Sequence, residues 1–226
     1  MDSLHHHENL SRDSGRGISG SDTAGARVWS TEEAVQVTGG LSRTSKMPGR
    51  SYSLPASACI TGSKLAKIPG TVCYDCYARK KRYLFPQTQR ALARRLEAIR
   101  HPDWVEAMCF LIRKSKTTHF RWHDSGDLQG RWHLERIAEI ARRMPDVKFW
   151  LPTKELGMVS GFIPPPNLVI RVSGACIDAP APGRFKCTST VVTEGATCQA
   201  SKRGGKCGNC RKCWSPKVAN VSYALH

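Results

Sequence analysis

THFRWHDSGDLQG (118–130) is the stretch whose reading decides the fold. Its first part alternates: Phe120 and Trp122 fall on one face of an extended chain, Arg121 and His123 on the other. The alternation stops at DSGD, a turn composition, and RWHLERIAEIARRM (131–144) continues with apolar residues at helical spacing. VKFWLPT (147–153) is extended again, a short helix is expected from Lys154, and PNLVIRVSG (166–174) is a further strand. Strands that alternate with helices pair mostly in parallel, because each helix supplies the crossover that returns the chain to the same edge.

The pattern extends in both directions. SYSLPA (51–56) reads as a short strand, followed by a Cys- and Gly-containing loop to about Tyr77. FPQTQRALARRLEAIR (85–100) is helical, with Ala91, Leu92, Leu96 and Ile99 apolar and Arg94 and Arg95 on the other face. Pro102 stands near the start of a second helix, DWVEAMCFLIRKS (103–115), where proline is tolerated. VANVSYALH (218–226) is the last strand. Four or five strands are too few for a closed eight-stranded barrel. The expectation is an α/β fold, a partial, open (β/α) barrel, with a small doubly wound sheet as the alternative. Residues 1–27, rich in Gly, Ser, Asp and Arg without apolar periodicity, are expected to be a disordered arm. Residues 28–226 form one domain, with 176–217 a Cys-rich, basic, cluster-binding insertion before the last strand. Neither GxGxxG nor GxxxxGK[ST] occurs, so ordinary dinucleotide or nucleoside-triphosphate binding has no support.

The strand ends are polar. NLVIRVSG puts Leu168, Ile170 and Val172 on one side and Arg171 and Ser173 on the other. Arginines on inner strand faces are costly to bury unless something anionic lies between them. Asp124, Ser125 and Asp127 follow one strand and Lys154 and Glu155 the next, at the edge where α/β sheets bind ligands. Arg121, His123, Asp127, Lys154 and Arg171 are therefore a candidate ligand or catalytic site. The alternative is a buried ion network, with Arg121 paired to Asp127 or Glu155.

Ten cysteines in 226 residues, with no apolar export segment near Met1, imply reduced thiols in the cytoplasm and favour metal or cluster ligation over disulfides. Seven fall in two groups: Cys59, Cys73 and Cys76, and Cys198, Cys207, Cys210 and Cys213. The C-x2-C-x2-C run of the second group wraps one corner of a cubane, as ferredoxin-type runs do, whereas tetrahedral zinc usually draws on two separated C-x2-C knuckles. A [4Fe–4S] cluster is the expected cofactor, with zinc the alternative. Three ligand sets stay open. The second group suffices alone; or the first group binds with one C-terminal cysteine; or there are two clusters, one of them three-cysteine with an open iron. Cys109 lies on an apolar helix face and reads as core.

Net charge is +17 and it is concentrated. Residues 79–116 hold eleven Lys/Arg against three acids, and residues 184–217 hold eight against one. Two basic zones suggest a nucleic-acid partner, contacted through Arg79, Lys80, Lys81, Arg82, Arg94, Arg95, Lys202, Arg203, Lys206, Arg211 and Lys212. No apolar run reaches eighteen residues, so no membrane partner is expected.

CYDCYARKKRY, RWHDSGDLQ, FWLPTKE, CGNCRKCW and a closing SYALH, in that order, resemble a family from phages and integrative mobile elements, the gene-product-eighty-eight type. The matching motifs run from about Ser51 to His226 and imply an origin in mobile DNA, not a particular reaction. A weaker, architectural similarity links the chain to radical S-adenosylmethionine enzymes, which carry a three-cysteine loop after the first strand of a partial barrel. Here the spacing of Cys59, Cys73 and Cys76 is x13 and x2 rather than x3 and x2, and no glycine-rich adenosylmethionine motif is evident. Three functions follow: a cluster-containing regulator or processing factor that binds nucleic acid; an iron–sulfur enzyme, radical-type or open-iron Lewis-acid, using the strand-end site; or a zinc-stabilised basic binding protein.

Overall fold

The computed structural model describes residues 27–225. The expected disordered arm lies outside the described residues except for Arg27, which pairs with Asp103 at 2.7 Å. Helix α1 (Thr31–Thr38) opens the fold. Ser30 caps it by accepting from Glu33 N at 3.1 Å while Glu33 returns a carboxylate to Ser30 N at 2.9 Å, and Gly39 ends it at φ 74°. There follow β1 (Ser42–Arg43), β2 (Arg50–Tyr52), α2 (Ile60–Leu65), α3 (Pro86–Ala98), α4 (Trp104–Lys114), β3 (His119–Trp122) and α5 (Arg131–Arg142). The chain continues with β4 (Lys148–Thr153), α6 (Leu156–Val159), β5 (Leu168–Ile177), β6 (Thr188–Val192) and β7 (Asn220–Ala224).

The seven strands form one sheet in chain order, β1 to β7. β1 and β2 pair antiparallel; every later neighbour is parallel. The sheet is not closed, since β1 and β7 are not neighbours. The order never reverses, so the switch point of a doubly wound sheet is absent. Two strands differ from the sequence reading. β1 adds an antiparallel edge, and β6, a run of small and β-branched residues (TSTVV), interrupts the segment 176–217 that was expected to be one insertion.

Both faces of the sheet are covered. On one, Phe120, Trp122, Phe149, Leu151, Leu168 and Val172 pack with α4 and α5 through Trp104, Met108, Ile112, Leu134 and Ile137. On the other, Trp150 and Val221 pack with Cys213 and Trp214 of the C-terminal segment. Trp214 Nε1 donates to Phe120 O at 2.9 Å. Arg121 takes the second face, as the alternation requires. His123 does not: its φ of 52° breaks the alternation, its N–H donates to Tyr52 O at 2.8 Å, and its ring lies 5.4 Å from that of His133 in the helix layer.

Both histidines are buried, and His123 Nδ1 and Nε2 and His133 Nε2 have no partner among the described residues. Burial pushes His123 down to about 3, with Arg121 adding to the effect, and holds His133 well below 6.5 through burial and the nearby His123 and Arg136. A histidine neutral in the fold and protonated when unfolded contributes stability above its unfolded pKa. That stability is lost as pH falls from about 6.5 toward the folded value. Between pH 7 and pH 5 each histidine should withdraw about 2 kcal/mol of unfolding free energy. Urea denaturation at the two pH values should show His133→Phe losing clearly less than the parent; an equal loss in both would contradict the assignment.

Candidate metal centre

All ten cysteines are free thiols, and seven gather in two places. The first set grows from the C-terminal end of β2. After Tyr52 the chain makes a 3-10 turn (Ala56–Ala58), and Cys59 becomes the N-cap of α2. Cys73 and Cys76 return at the end of the following loop, Cys76 just before the 3-10 turn Tyr77–Arg79. That loop is stapled to the far side of the sheet: Val72 N donates to Ala175 O at 2.9 Å and Ile177 N to Gly70 O at 3.1 Å, around the exposed Cys176 of β5. Glu155 fixes α2 from below, accepting from Thr61 N at 2.8 Å and Thr61 Oγ1 at 2.7 Å.

Cys59, Cys73 and Cys76 line a cavity of about 20 Å³ together with Ala56, Gly62 and Arg79. Gly62 has a steric reason. A Cβ there would stand 3.0 Å from Cys59 Cβ and 3.6 Å from the sulfurs of both Cys59 and Cys73. Burial first, then Asp127 and the other two thiols, push Cys59 up to about 12. Cys73 is raised by burial, against the pull of Lys154. Cys59 and Cys73 therefore resist ionisation unless a cation or cluster joins them.

The second set lies on the face of the sheet that carries Trp150 and Val221. Cys198 N donates to Ser222 O at 2.9 Å and Cys207 N to Lys46 O at 2.9 Å. Gly208, at φ 54°, turns the chain between Cys207 and Cys210. Cys207 is raised by burial and by the charges of Cys198 and Cys210. Cys213 is pushed up to about 11 by burial, against a hydrogen bond with Tyr223 Oη at 3.2 Å.

Among the described residues no group of three or more His, Cys, Asp or Glu stands ready to hold a metal ion. The donor chemistry suits soft metals, and the glycine beside Cys59 and Cys73 leaves open a volume that a side chain would fill. A cubane carries its irons between its ligands and so holds thiolates farther apart than one tetrahedral ion does.

The five strand-end residues do not form one site. Lys154 and Asp127 belong with the first thiol set. Asp127 is buried, accepts from Thr153 Oγ1 at 2.6 Å, Lys154 N at 2.8 Å and Leu128 N at 2.8 Å, and is raised to about 6 by burial. Lys154 Nζ donates to Gly174 O at 2.5 Å; burial lowers its pKa, while Cys73, Asp127 and Cys76 oppose that. Arg121 pairs with neither Asp127 nor Glu155 but with Asp124 at 3.0 Å, its guanidinium 4.5 Å from the Trp150 ring centroid. Burial works against its charge, yet Tyr77, Asp124 and Tyr223 hold its pKa above the usual value. Tyr77 donates to Asp124 O at 2.5 Å, and Tyr83 to its carboxylate. The tyrosines were not singled out from sequence, although Tyr77 directly follows Cys76. His123 sits in the helix layer. Arg171 meets no anion: fully buried, it donates to six backbone carbonyls, of Cys213, Thr188, Val218, Ala219, Lys212 and Ser215, at 2.8–3.4 Å.

The basic residues divide likewise. Lys81, Arg82, Arg94, Lys202, Arg203, Lys206 and Lys212 are exposed. Arg79 is exposed beside the first thiol set and donates to Ser63 Oγ at 2.8 Å; Lys80 pairs with Asp75. Arg211 donates to Gly208 O at 2.6 Å and Cys210 O at 2.9 Å. Arg95, expected on a phosphate-facing surface, is buried, giving its donors to Gly40 O and Ser42 Oγ, each at 2.8 Å. It is held there because Gly39 approaches α3 too closely for a side chain between them, a Cβ standing 2.8 Å from Arg95 Cγ.

Replacing Arg171 with methionine removes the donors from those carbonyls without replacing them. The expected cost is about 3–5 kcal/mol in urea unfolding, with new protease cleavage between residues 193 and 217. A loss under about 1 kcal/mol with an unchanged digestion pattern would contradict the role assigned to it.

A family model described as Gene product 88 matches residues 22–195, which include Cys59, Cys73 and Cys76 and end before Cys198. No curated protein and no solved structure matches the chain. With more than half of its length matched, and the strand-end motifs and first thiol set within the match, the chain belongs to the Gene product 88 family.

Proposed function

We propose that this protein is an iron–sulfur protein of a phage or integrative element whose first thiol set is a reactive centre acting on nucleic acid. The observation that carries this reading is the convergence of Cys59, Cys73 and Cys76 on one cavity just past the first parallel strand, with no fourth cysteine in its lining. Three thiolates there would hold three irons of a [4Fe–4S] cluster, and Cys198, Cys207, Cys210 and Cys213 would hold a second. A cluster with one iron free of protein ligands supplies a Lewis-acid position or a single electron, as in the radical S-adenosylmethionine enzymes that the loop's position resembles. Lys154, its ammonium near Cys73, Cys76 and Asp127, is suited to binding a carboxylate or phosphate oxygen beside that position.

The substrate class follows from the rim. Tyr74, Tyr77, Leu84 and Phe85 are exposed among Arg79, Lys80, Lys81 and Arg82. Rings interleaved with cations suit a single strand, whose bases stack while its phosphates pair. Lys202, Arg203, Lys206 and Lys212 extend the positive charge along the second thiol set. Such thiols stay reduced in a cytoplasm. A pure binding protein, without turnover, is the second reading, and the same exposed rim favours it.

Reduced, anaerobically prepared protein should give two cluster signals in electron paramagnetic resonance. Added S-adenosylmethionine or cyanide should shift one of them; if neither moves, the open-iron reading fails. Affinity for a short single-stranded oligonucleotide should fall steeply with salt. Lys81→Ala and Arg82→Ala should each lower the salt slope by about one, and Phe85→Ala should weaken binding about fivefold or more. Affinity that stays flat in salt would remove nucleic acid from the account.

A further inference from the structure

The N-terminal edge of the sheet, where the turn between β1 and β2 meets the end of α4, carries a second polar feature. A cavity of about 390 Å³ is lined by Arg43, Arg50 and Lys116 with the hydroxyl residues Ser115, Thr117 and Thr118. None of its lining residues is acidic. The side chains of the three cations make no ion pair or hydrogen bond among the described residues. The ion pairs and side-chain bonds elsewhere on the surface involve other groups.

Its walls are pinned. Gly49, at φ 80°, presses the turn before β2 against the start of β3 so closely that a Cβ would stand 1.9 Å from His119 O and 2.2 Å from Thr117 Oγ1. Thr117 Oγ1 accepts from Arg50 N at 3.2 Å and donates to His119 O at 2.9 Å. Lys116 holds φ 51° just past the end of α4, where its N–H donates to Arg113 O at 2.9 Å. Glycine is the residue that closes a helix in this conformation at least cost. A lysine there keeps a positive charge at the mouth of the cavity in spite of the backbone strain.

We propose that this edge is a phosphate-binding site, taking a phosphate mono- or diester through Arg43, Arg50 and Lys116. It is independent of the thiol chemistry. The site answers to one of two sources, a nucleic-acid backbone or a small phosphorylated molecule. The competing explanation is that Lys116 only complements the carbonyl end of α4.

Lys116→Gly separates the two. Glycine relieves the strained backbone, so the variant should unfold at a temperature equal to or above that of the parent. Its affinity for phosphate should nevertheless fall roughly tenfold, the loss of one charge-assisted hydrogen bond. Thermal shift and isothermal titration with inorganic phosphate, against chloride at equal ionic strength, read both quantities; Arg43→Ala should repeat the affinity loss. A phosphate response equal to that of chloride, or one that both variants keep, overturns the proposal. Titration with a single-stranded oligonucleotide assigns the source. If both variants weaken it too, the ligand is a phosphodiester backbone; if only inorganic phosphate weakens, it is a small phosphate.

Discussion

Arg171 organises the face of the sheet that carries the C-terminal segment. Its guanidinium is fully buried and its donors reach only backbone carbonyls, most of them in the C-terminal segment between the second thiol set and β7. A buried cation requires compensation, and six carbonyl dipoles provide it without a carboxylate. The consequence is geometric. The segment holding Cys213 and Trp214 is laid across β4 and β5, so that Trp214 packs on Trp150 at 5.2 Å and Cys213 comes within reach of Tyr223. The face an open sheet would leave to water becomes the seat of the second thiol set.

Between the two sets runs a continuous line of contacts. Tyr77, next to Cys76, binds Asp124; Asp124 pairs with Arg121; Arg121 lies over Trp150; and Trp150 packs in one cluster with Cys213 and Trp214. The charge of Arg121 acts on Tyr77 at one end and on Cys207 and Cys213 at the other. A single arginine thus stands between the two sets, its charge bearing on the residue beside Cys76 and on two thiols of the second set.

Much of this was legible in the chain. The period-two alternation of β3, the helical spacing of α3, α4 and α5, and the turn at DSGD led directly to parallel pairing, because each depends on local pattern. Ser30 and Glu33 carried a readable capping box that would have marked α1. What could not be read depended on tertiary partners. His123 keeps an alternating sequence position but loses the alternating direction to a positive φ. Arg95 sits on the polar side of its helical pattern, yet the close approach of Gly39 and its bond to Gly40 O bury it. Arg171 does lie on the strand side opposite Leu168 and Val172, but backbone carbonyls, which leave no trace in a sequence, take the place of the expected anion. β6 hid within the Cys-rich segment because TSTVV is too polar to stand out before β5 and β7 flank it.

The central claim is that both thiol sets hold iron–sulfur clusters. It is tested most directly by iron, sulfide and zinc analysis of anaerobically prepared protein. The parent is compared with one variant carrying serine at Cys59, Cys73 and Cys76 and another carrying serine at the four C-terminal cysteines. The account predicts about eight iron and eight sulfide per chain in the parent and about four of each in either variant. Zinc without sulfide, or an iron content that removal of Cys59, Cys73 and Cys76 leaves unchanged, would contradict it.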